Sequence, residues 1–108
     1  MSLSPIETEI IKSEIVEALK TVYDPEIPIN IYELGLIYDI EVDTDGAAMI
    51  HMTLTSPGCP VAGTLPGEVE SKARMESGAT EVQVDLVWEP PWSMDRMTDE
   101  AKLELGLL

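Results

Sequence analysis

Residues 49–60 read Met-Ile-His-Met-Thr-Leu-Thr-Ser-Pro-Gly-Cys-Pro, a strand pattern that runs into a turn. Before the turn, one face carries the apolar residues Ile50, Met52 and Leu54. The opposite face carries Met49, His51 and Thr53. This alternation is typical of a strand with one buried face. Pro57-Gly58 is a strong turn dipeptide, and proline is tolerated in the first turn of a helix. The stretch therefore predicts a strand, a tight turn and a helix start.

The turn carries Cys59, the only cysteine of the chain. Backbone N–H groups at a helix start favour thiolate over thiol, and a thiolate is what a nucleophile or a soft-metal ligand requires. The alternative is a small buried residue with an inert sulfur, which is common for free cysteine. A single cysteine excludes both an internal disulfide and a four-thiolate metal site built by one chain.

The residues after the turn predict a helix and a third strand. Apolar residues recur at four-residue spacing up to Ser77-Gly78: Val61, Leu65, Val69 and Ala73. Pro66 and nearby glycines weaken the first half, so either the helix is kinked or its regular part begins near Thr64. The strand that follows has its apolar face on Val82, Val84, Leu86 and Trp88. A helix between two strands indicates a parallel crossover.

The residues before the stretch predict a hairpin partner. Asp45-Gly46 is a hairpin signal, and the strand before it alternates apolar residues: Leu36, Tyr38, Ile40 and Val42. Ahead of that strand, residues 31–34 predict a single helical turn that Gly35 stops.

A helix is predicted at each end of the chain. Ser4 and Glu7 form a capping box around Pro5, and the first helix ends near Tyr23 because Pro25 disfavours helical backbone before it. In the last helix Thr98 is the N-cap and Gly106 the stop. Its apolar stripe is expected on Met94, Met97, Ala101 and Leu105.

The element order α-β-β-α-β-α predicts a two-layer α+β sandwich, with a small three-stranded mixed sheet covered by helices on one face. Residues 1–108 are long enough for one domain and one modest core. Within it we set apart residues 1–5, as disordered or tag-derived, and residues 88–108, as a carboxy-terminal tail. Trp88 and Trp92 are interpreted as anchors of this tail to the body, with a docking surface as the alternative.

Charge and hydropathy exclude several classes of function. Twenty-one acidic against six basic residues leave a net charge of −15. Nucleic acid is excluded as a partner and anionic membranes are disfavoured, because binding to both relies on Lys and Arg. No apolar run approaches the ~20 residues that span a bilayer, and the pattern of a signal peptide is absent. We therefore expect a cytoplasmic protein.

Four segments together resemble one known family. They are residues 23–28 (YDPEIP), 31–38 (IYELGLIY), 53–60 (TLTSPGCP) and the tail motif 88–92 (WEPPW) with 95–97 (DRM). The combination resembles the iron–sulfur cluster assembly domain family that includes SufT and PaaD-type proteins, and the tail is most similar to the SufT-like branch. PaaD-type proteins carry further cysteines in a C-terminal extension, which this chain lacks.

The resemblance implies a small α+β domain that helps deliver or assemble iron–sulfur clusters on client proteins, without catalytic residues. It implies a pocket formed by Asp24, Glu26, Thr55 and Cys59. Ile27 lines the same loop, and Ser56 stands where a second hydroxyl residue is usual. Cys59 is then the metal ligand for a transient iron or iron–sulfur cluster. The implied partners are scaffold and client proteins.

Alternatives remain open at this point. A cluster normally takes about four thiolates, whereas one chain supplies one and a homodimer two, so a shared cluster, persulfide chemistry or thiol exchange at Cys59 all stay open. A metal-free adaptor linking scaffold and client is the first rival function. A thiol enzyme ranks last, because no histidine is positioned by the sequence to activate the sulfur.

Two further groups of residues call for interpretation. His51 is interpreted as an ordinary half-exposed sheet residue rather than a metal ligand. The apolar cluster near the carboxyl end predicts burial, with a homodimer interface as one candidate: Leu103, Leu105, Leu107 and Leu108.

Overall fold

A computed structural model describes residues 2–24, 29–54 and 65–106. Its elements are α1 (Pro5–Leu19), β1 (Ile37–Val42), β2 (Ala47–Met52), α2 (Leu65–Glu76), β3 (Glu81–Leu86), a short 3-10 helix (Met94–Arg96) and α3 (Asp99–Glu104). The predicted order α-β-β-α-β-α is confirmed.

The three strands form one mixed sheet in the order β1-β2-β3. β1 and β2 are antiparallel, whereas β2 and β3 are parallel, which confirms the predicted crossover. One face of the sheet is apolar, and Ile50 at its centre is fully buried. Ile15 and Leu19 of α1 and Val69 of α2 are fully buried in the same core cluster. The fold is therefore the predicted two-layer α+β sandwich.

The start of α1 is as predicted, but its end is not. The Ser4 N–H donates to Glu7 Oε1 (3.0 Å) and the Glu7 N–H donates to Ser4 Oγ (3.2 Å), so the capping box is complete. The helix ends at Leu19 rather than near Tyr23. The Val22 carbonyl instead accepts a hydrogen bond from the Ile31 N–H (2.9 Å). The pairing of Val22 with Ile31 thus ends the helix before Pro25 is reached.

A bulge changes the face that β1 presents at its start. The register shifts between Ile37, which is opposite Met52, and Asp39, which is opposite His51. Ile37 consequently packs against the core. The expectation that Tyr38 lies on the apolar face is therefore wrong. Its hydroxyl donates to the Pro90 carbonyl (2.7 Å) outside the core.

The second helix follows directly on a gap in the described residues. α2 spans Leu65–Glu76 and ends close to the predicted stop. Val61 and the rest of residues 61–64, which separate the two alternatives for the helix start, lie outside the described residues. β3 ends at Leu86, so the assignment of Trp88 to its apolar face is wrong, and Trp88 is 38% exposed.

The tail packs against residues 33–38. The Trp92 indole N–H donates to the Leu34 carbonyl (2.8 Å), which confirms Trp92 as an anchor. The Thr98 N–H donates to the Glu33 carbonyl (2.9 Å), and the Thr98 side chain caps α3 as predicted. Met97 is buried, but Met94 is 52% exposed and does not belong to the predicted stripe. The reason is that Met94 opens a separate 3-10 helix.

Part of the apolar surface remains uncovered. Leu103 is 65% exposed, so it is not buried within this chain, and residues 107–108 of the same cluster lie outside the described residues. Among the helices that the structure describes, none has the length and hydropathy needed to cross a bilayer.

Gly35 permits the close contact between the turn and the tail. Its φ is +82°, and a Cβ there would lie 2.3 Å from the Arg96 carbonyl oxygen. We expect Gly35→Ala to lower the free energy of unfolding by about 2–3 kcal/mol, because a left-handed backbone is combined with a steric overlap. Urea denaturation measures this change.

Gly106→Ala is the matched control. Its φ is +77°, but a Cβ there meets nothing within 4 Å, so only the backbone term of about 1 kcal/mol remains. Equal losses in the two variants would show that the Arg96 contact contributes nothing.

Candidate functional site

The described flanks of the predicted site segments lie at one end of the sheet. Because β1 runs antiparallel to β2 and β3 runs parallel to it, the start of β1 and the ends of β2 and β3 lie together. We call this the site end of the sheet. The chain leaves it at Leu54, directly after β2, toward residues 55–60.

Backbone hydrogen bonds connect the Asp24 segment to this end. The Ile31 N–H donates to the Val22 carbonyl (2.9 Å), and the Leu36 N–H donates to the Ile31 carbonyl (3.1 Å). The Thr53 N–H then donates to the Leu36 carbonyl (2.8 Å). Residues 22, 31, 36 and 53 thus form a continuous series of backbone pairs, which fixes the flanks of both motif segments in one region.

Asp24 is the predicted site residue that the structure describes. It is only 4% exposed, and its backbone N–H donates to the Ile29 carbonyl (3.3 Å). Carboxylates are rarely buried to this extent in proteins. The other predicted pocket residues lie outside the described part of the chain: Glu26, Ile27, Thr55, Ser56 and Cys59.

Asn30 pairs with Tyr23 in an isolated β-bridge next to Asp24 and was not among the predicted site residues. Asn30 is 7% exposed, and its side-chain oxygen accepts from the Glu33 N–H (2.9 Å). Its amide nitrogen also donates to Glu33 Oε2 (2.7 Å). Asn followed three residues later by Glu is a helix-start signal, so this pair was available in the sequence. It fixes the turn of residues 31–35 beside Asp24.

Thr53 is a second buried polar residue at the site end. The alternation placed it on the same face as His51, but β2 ends at Met52 and Thr53 is 1% exposed, so that assignment is wrong. Its Oγ1 has no hydrogen-bond partner in the described part of the chain. An unpartnered buried hydroxyl is costly, so such groups are often functional. His51, in contrast, has a half-exposed side chain at 30%, as predicted.

The family follows from a direct comparison of the sequence. A family profile described as "Iron-sulfur cluster assembly protein" matches residues 12–86. The chain belongs to this family. The match covers the second half of α1, all three strands and the motif segments 23–28 and 53–60. The resemblance stated from the motifs is therefore confirmed.

Relatives extend the similarity to nearly the whole chain. It is 48% identical over 97 residues to an Fe-S protein maturation auxiliary factor of Porphyromonas gingivalis, covering 90% of this chain and 92% of the relative. It is 40% identical to the Fe-S protein maturation auxiliary factor SufT of Staphylococcus aureus, covering 80% of this chain and 98% of the relative.

A solved structure shows the same fold. The crystal structure of a domain of unknown function, DUF59, from Bacillus anthracis superposes with a TM-score of 0.87 at 37% identity. The superposition covers 97% of this chain and 100% of that one. The α+β architecture described above is therefore that of an established domain.

Thr53→Val tests whether the buried hydroxyl is truly unpartnered. Valine has the same shape without the polar atom, so we expect the free energy of unfolding to rise by about 1 kcal/mol. Urea denaturation measures the change. Thr98→Val is the matched control, since the Thr98 hydroxyl accepts from the Ala101 N–H (3.2 Å) and its loss should cost about 1 kcal/mol. A loss at position 53 equal to that at position 98 would contradict the assignment.

Proposed function

We propose that this protein is an iron–sulfur protein maturation factor that carries iron or an iron–sulfur cluster to client proteins. Its family and the names of its relatives support this role. The cargo is held at Cys59, while Asp24, Glu26 and Thr55 shape the site. Ile27 and Ser56 complete it. The role requires no catalytic residue.

The burial of Asp24 at the site end carries this proposal. The Asp24 carboxylate is 4% exposed, and the series of backbone pairs connects its segment to Thr53. Cys59 follows Thr53 by six residues in the sequence. In the proposed site, Asp24 would add a hard oxygen donor to the soft sulfur donor of Cys59.

The donor count favours cargo that is held transiently. Iron–sulfur clusters are normally held by about four thiolates, and this chain has one cysteine. Oxygen donors, a second copy of the chain or a client would have to supply the remaining ligands. Incomplete ligation keeps transfer to a client with more thiolates favourable, which is what a maturation factor requires.

The partners we propose are the scaffold and client proteins of cluster assembly in the cytoplasm. A reducing compartment keeps the single thiol available. The net charge of −15 favours partners with cationic surfaces and increases the rate of encounter with them. A homodimer, with Leu103 in its interface, would supply a second Cys59.

A metal-free adaptor remains the alternative. The single cysteine and the exposed apolar residues of the tail, Trp88, Met94 and Leu103, favour it, because such residues serve binding without metal. It predicts that partner binding and client maturation survive the loss of the thiol. A thiol enzyme has less support, since the sequence positions no histidine to activate the sulfur.

Anaerobic reconstitution separates the two functions. Reduced protein incubated with Fe²⁺ and sulfide should gain charge-transfer absorption, and Cys59→Ser should lose most of it because the soft ligand is removed. Asp24→Asn should lower the bound iron several-fold. Glu104→Gln is the control for charge, since Glu104 is exposed at the end of α3.

The same variants are then tested for activation of an apo iron–sulfur client. Maturation that falls with iron binding supports the carrier. Equal absorption in wild type and Cys59→Ser would remove Cys59 from the mechanism, and full client activation by Cys59→Ser would establish the adaptor instead.

A further inference from the structure

The outer face of the sheet, opposite the core, carries a row of ionisable side chains. Asp39 of β1 is directly opposite His51 of β2, and Asp85 of β3 is the parallel partner of His51 on the other side. The His51 Nδ1 lies 3.7 Å from Asp39 Oδ2, and His51 Nε2 lies 3.7 Å from Asp85 Oδ2. One imidazole thus stands between two carboxylates, one on each ring nitrogen.

Glu41 adds a third carboxylate to the row. It lies two residues after Asp39 on the same face of β1, because side chains alternate along a strand. One donor atom from each of Asp39, Glu41 and His51 can be chosen so that all lie within 4.8 Å of one another. The residues sit on paired strands, so their backbones are held in place by the sheet.

The negative charge of this row is not balanced locally. Across the described ranges 2–24, 29–54 and 65–106, no lysine or arginine forms an ion pair with Asp39, Glu41 or Asp85. The described acidic residues with a lysine or arginine partner lie on the helices instead: Glu17, Glu70 and Glu76. Like charges at such short range repel one another, and a cation would relieve that repulsion.

We propose that Asp39, Glu41 and His51 bind a divalent first-row transition-metal ion on the outer face of the sheet. One imidazole with carboxylate oxygens is a donor set suited to such ions, whereas Mg²⁺ and Ca²⁺ prefer oxygen alone. Metal–ligand distances of about 2.0–2.2 Å require the donors to approach slightly, which side-chain rotation of Asp39 and Glu41 provides.

Asp85 has a different role in this site. When Nδ1 of His51 ligates the metal, Nε2 carries the proton and points to the Asp85 carboxylate. A carboxylate at that position orients the imidazole and fixes its tautomer. Asp85 is therefore a positioning residue. Because Asp39 and Glu41 are exposed, water can occupy the remaining coordination positions of the metal ion.

The site is independent of the proposed function. It stands on the face opposite the core and uses none of the residues assigned to the pocket. Its test is made in a Cys59→Ser background, so that the thiol contributes nothing to the measured affinity. Failure of this site then leaves the Cys59 proposal untouched, and the reverse also holds.

Zn²⁺ and Co²⁺ titrations, followed by calorimetry and by Co²⁺ absorption, test the site. His51→Gln removes the imidazole without changing the formal charge, and we expect it to weaken binding at least about tenfold. Asp39→Asn and Glu41→Gln should weaken it similarly. Glu81→Gln is the control. It removes one negative charge, as Asp39→Asn and Glu41→Gln do, but Glu81 is exposed on β3 outside the cluster.

Nuclear magnetic resonance gives a second measurement. His51 is the only histidine, so its imidazole signals are assigned without ambiguity and should shift on addition of Zn²⁺ but not of Mg²⁺. Unshifted imidazole signals, or equal Zn²⁺ affinity in His51→Gln and Glu81→Gln, would show diffuse attraction to an acidic surface and overturn the proposal. Absence of measurable Zn²⁺ binding would overturn it as well.

Discussion

The central strand β2 is hydrogen-bonded along both edges, antiparallel to β1 and parallel to β3. This double pairing gives each of its residues a defined neighbour on either side and a defined face. Ile50 points into the core, whereas His51 lies between two carboxylates on the outer face. Beyond the last pair, Thr53 remains tied to the Leu36 carbonyl. The core, the site end and the outer acidic row therefore all depend on one strand.

The site end combines features that a core would normally exclude. Asp24, Asn30 and Thr53 are all buried, although polar groups are costly to bury. The Asn30 side chain is satisfied by two hydrogen bonds with Glu33. Such a concentration of buried polar groups is typical of a region whose geometry serves a ligand as well as the fold. The chain belongs to a family described by iron–sulfur cluster assembly, which is consistent with a ligand at this end of the sheet.

Local signals were predictable, and so were the motif residues of the site. The capping box at Ser4 and the cap at Thr98 depend on residues close in sequence, so their patterns act wherever the chain folds. The parallel crossover followed from a helix between two strands. Asp24 was identified through the family motif. Asn30 was missed although its pairing with Glu33 is a local signal. Thr53 was missed because its place is set by pairing with Leu36, which is distant in sequence.

The sequence by itself determined the order of elements, the two layers, the acidic character and the family. These properties depend on periodicity, composition and short motifs, which no distant contact alters. Only the tertiary structure decided where α1 ends, which face Tyr38 takes, and that Asp39 stands opposite His51. In each case a partner outside the local segment decided the outcome. Val22 pairs with Ile31, the Tyr38 hydroxyl binds the Pro90 carbonyl, and the strand register places Asp39 opposite His51. Pairing energy across such distances is invisible to a local pattern.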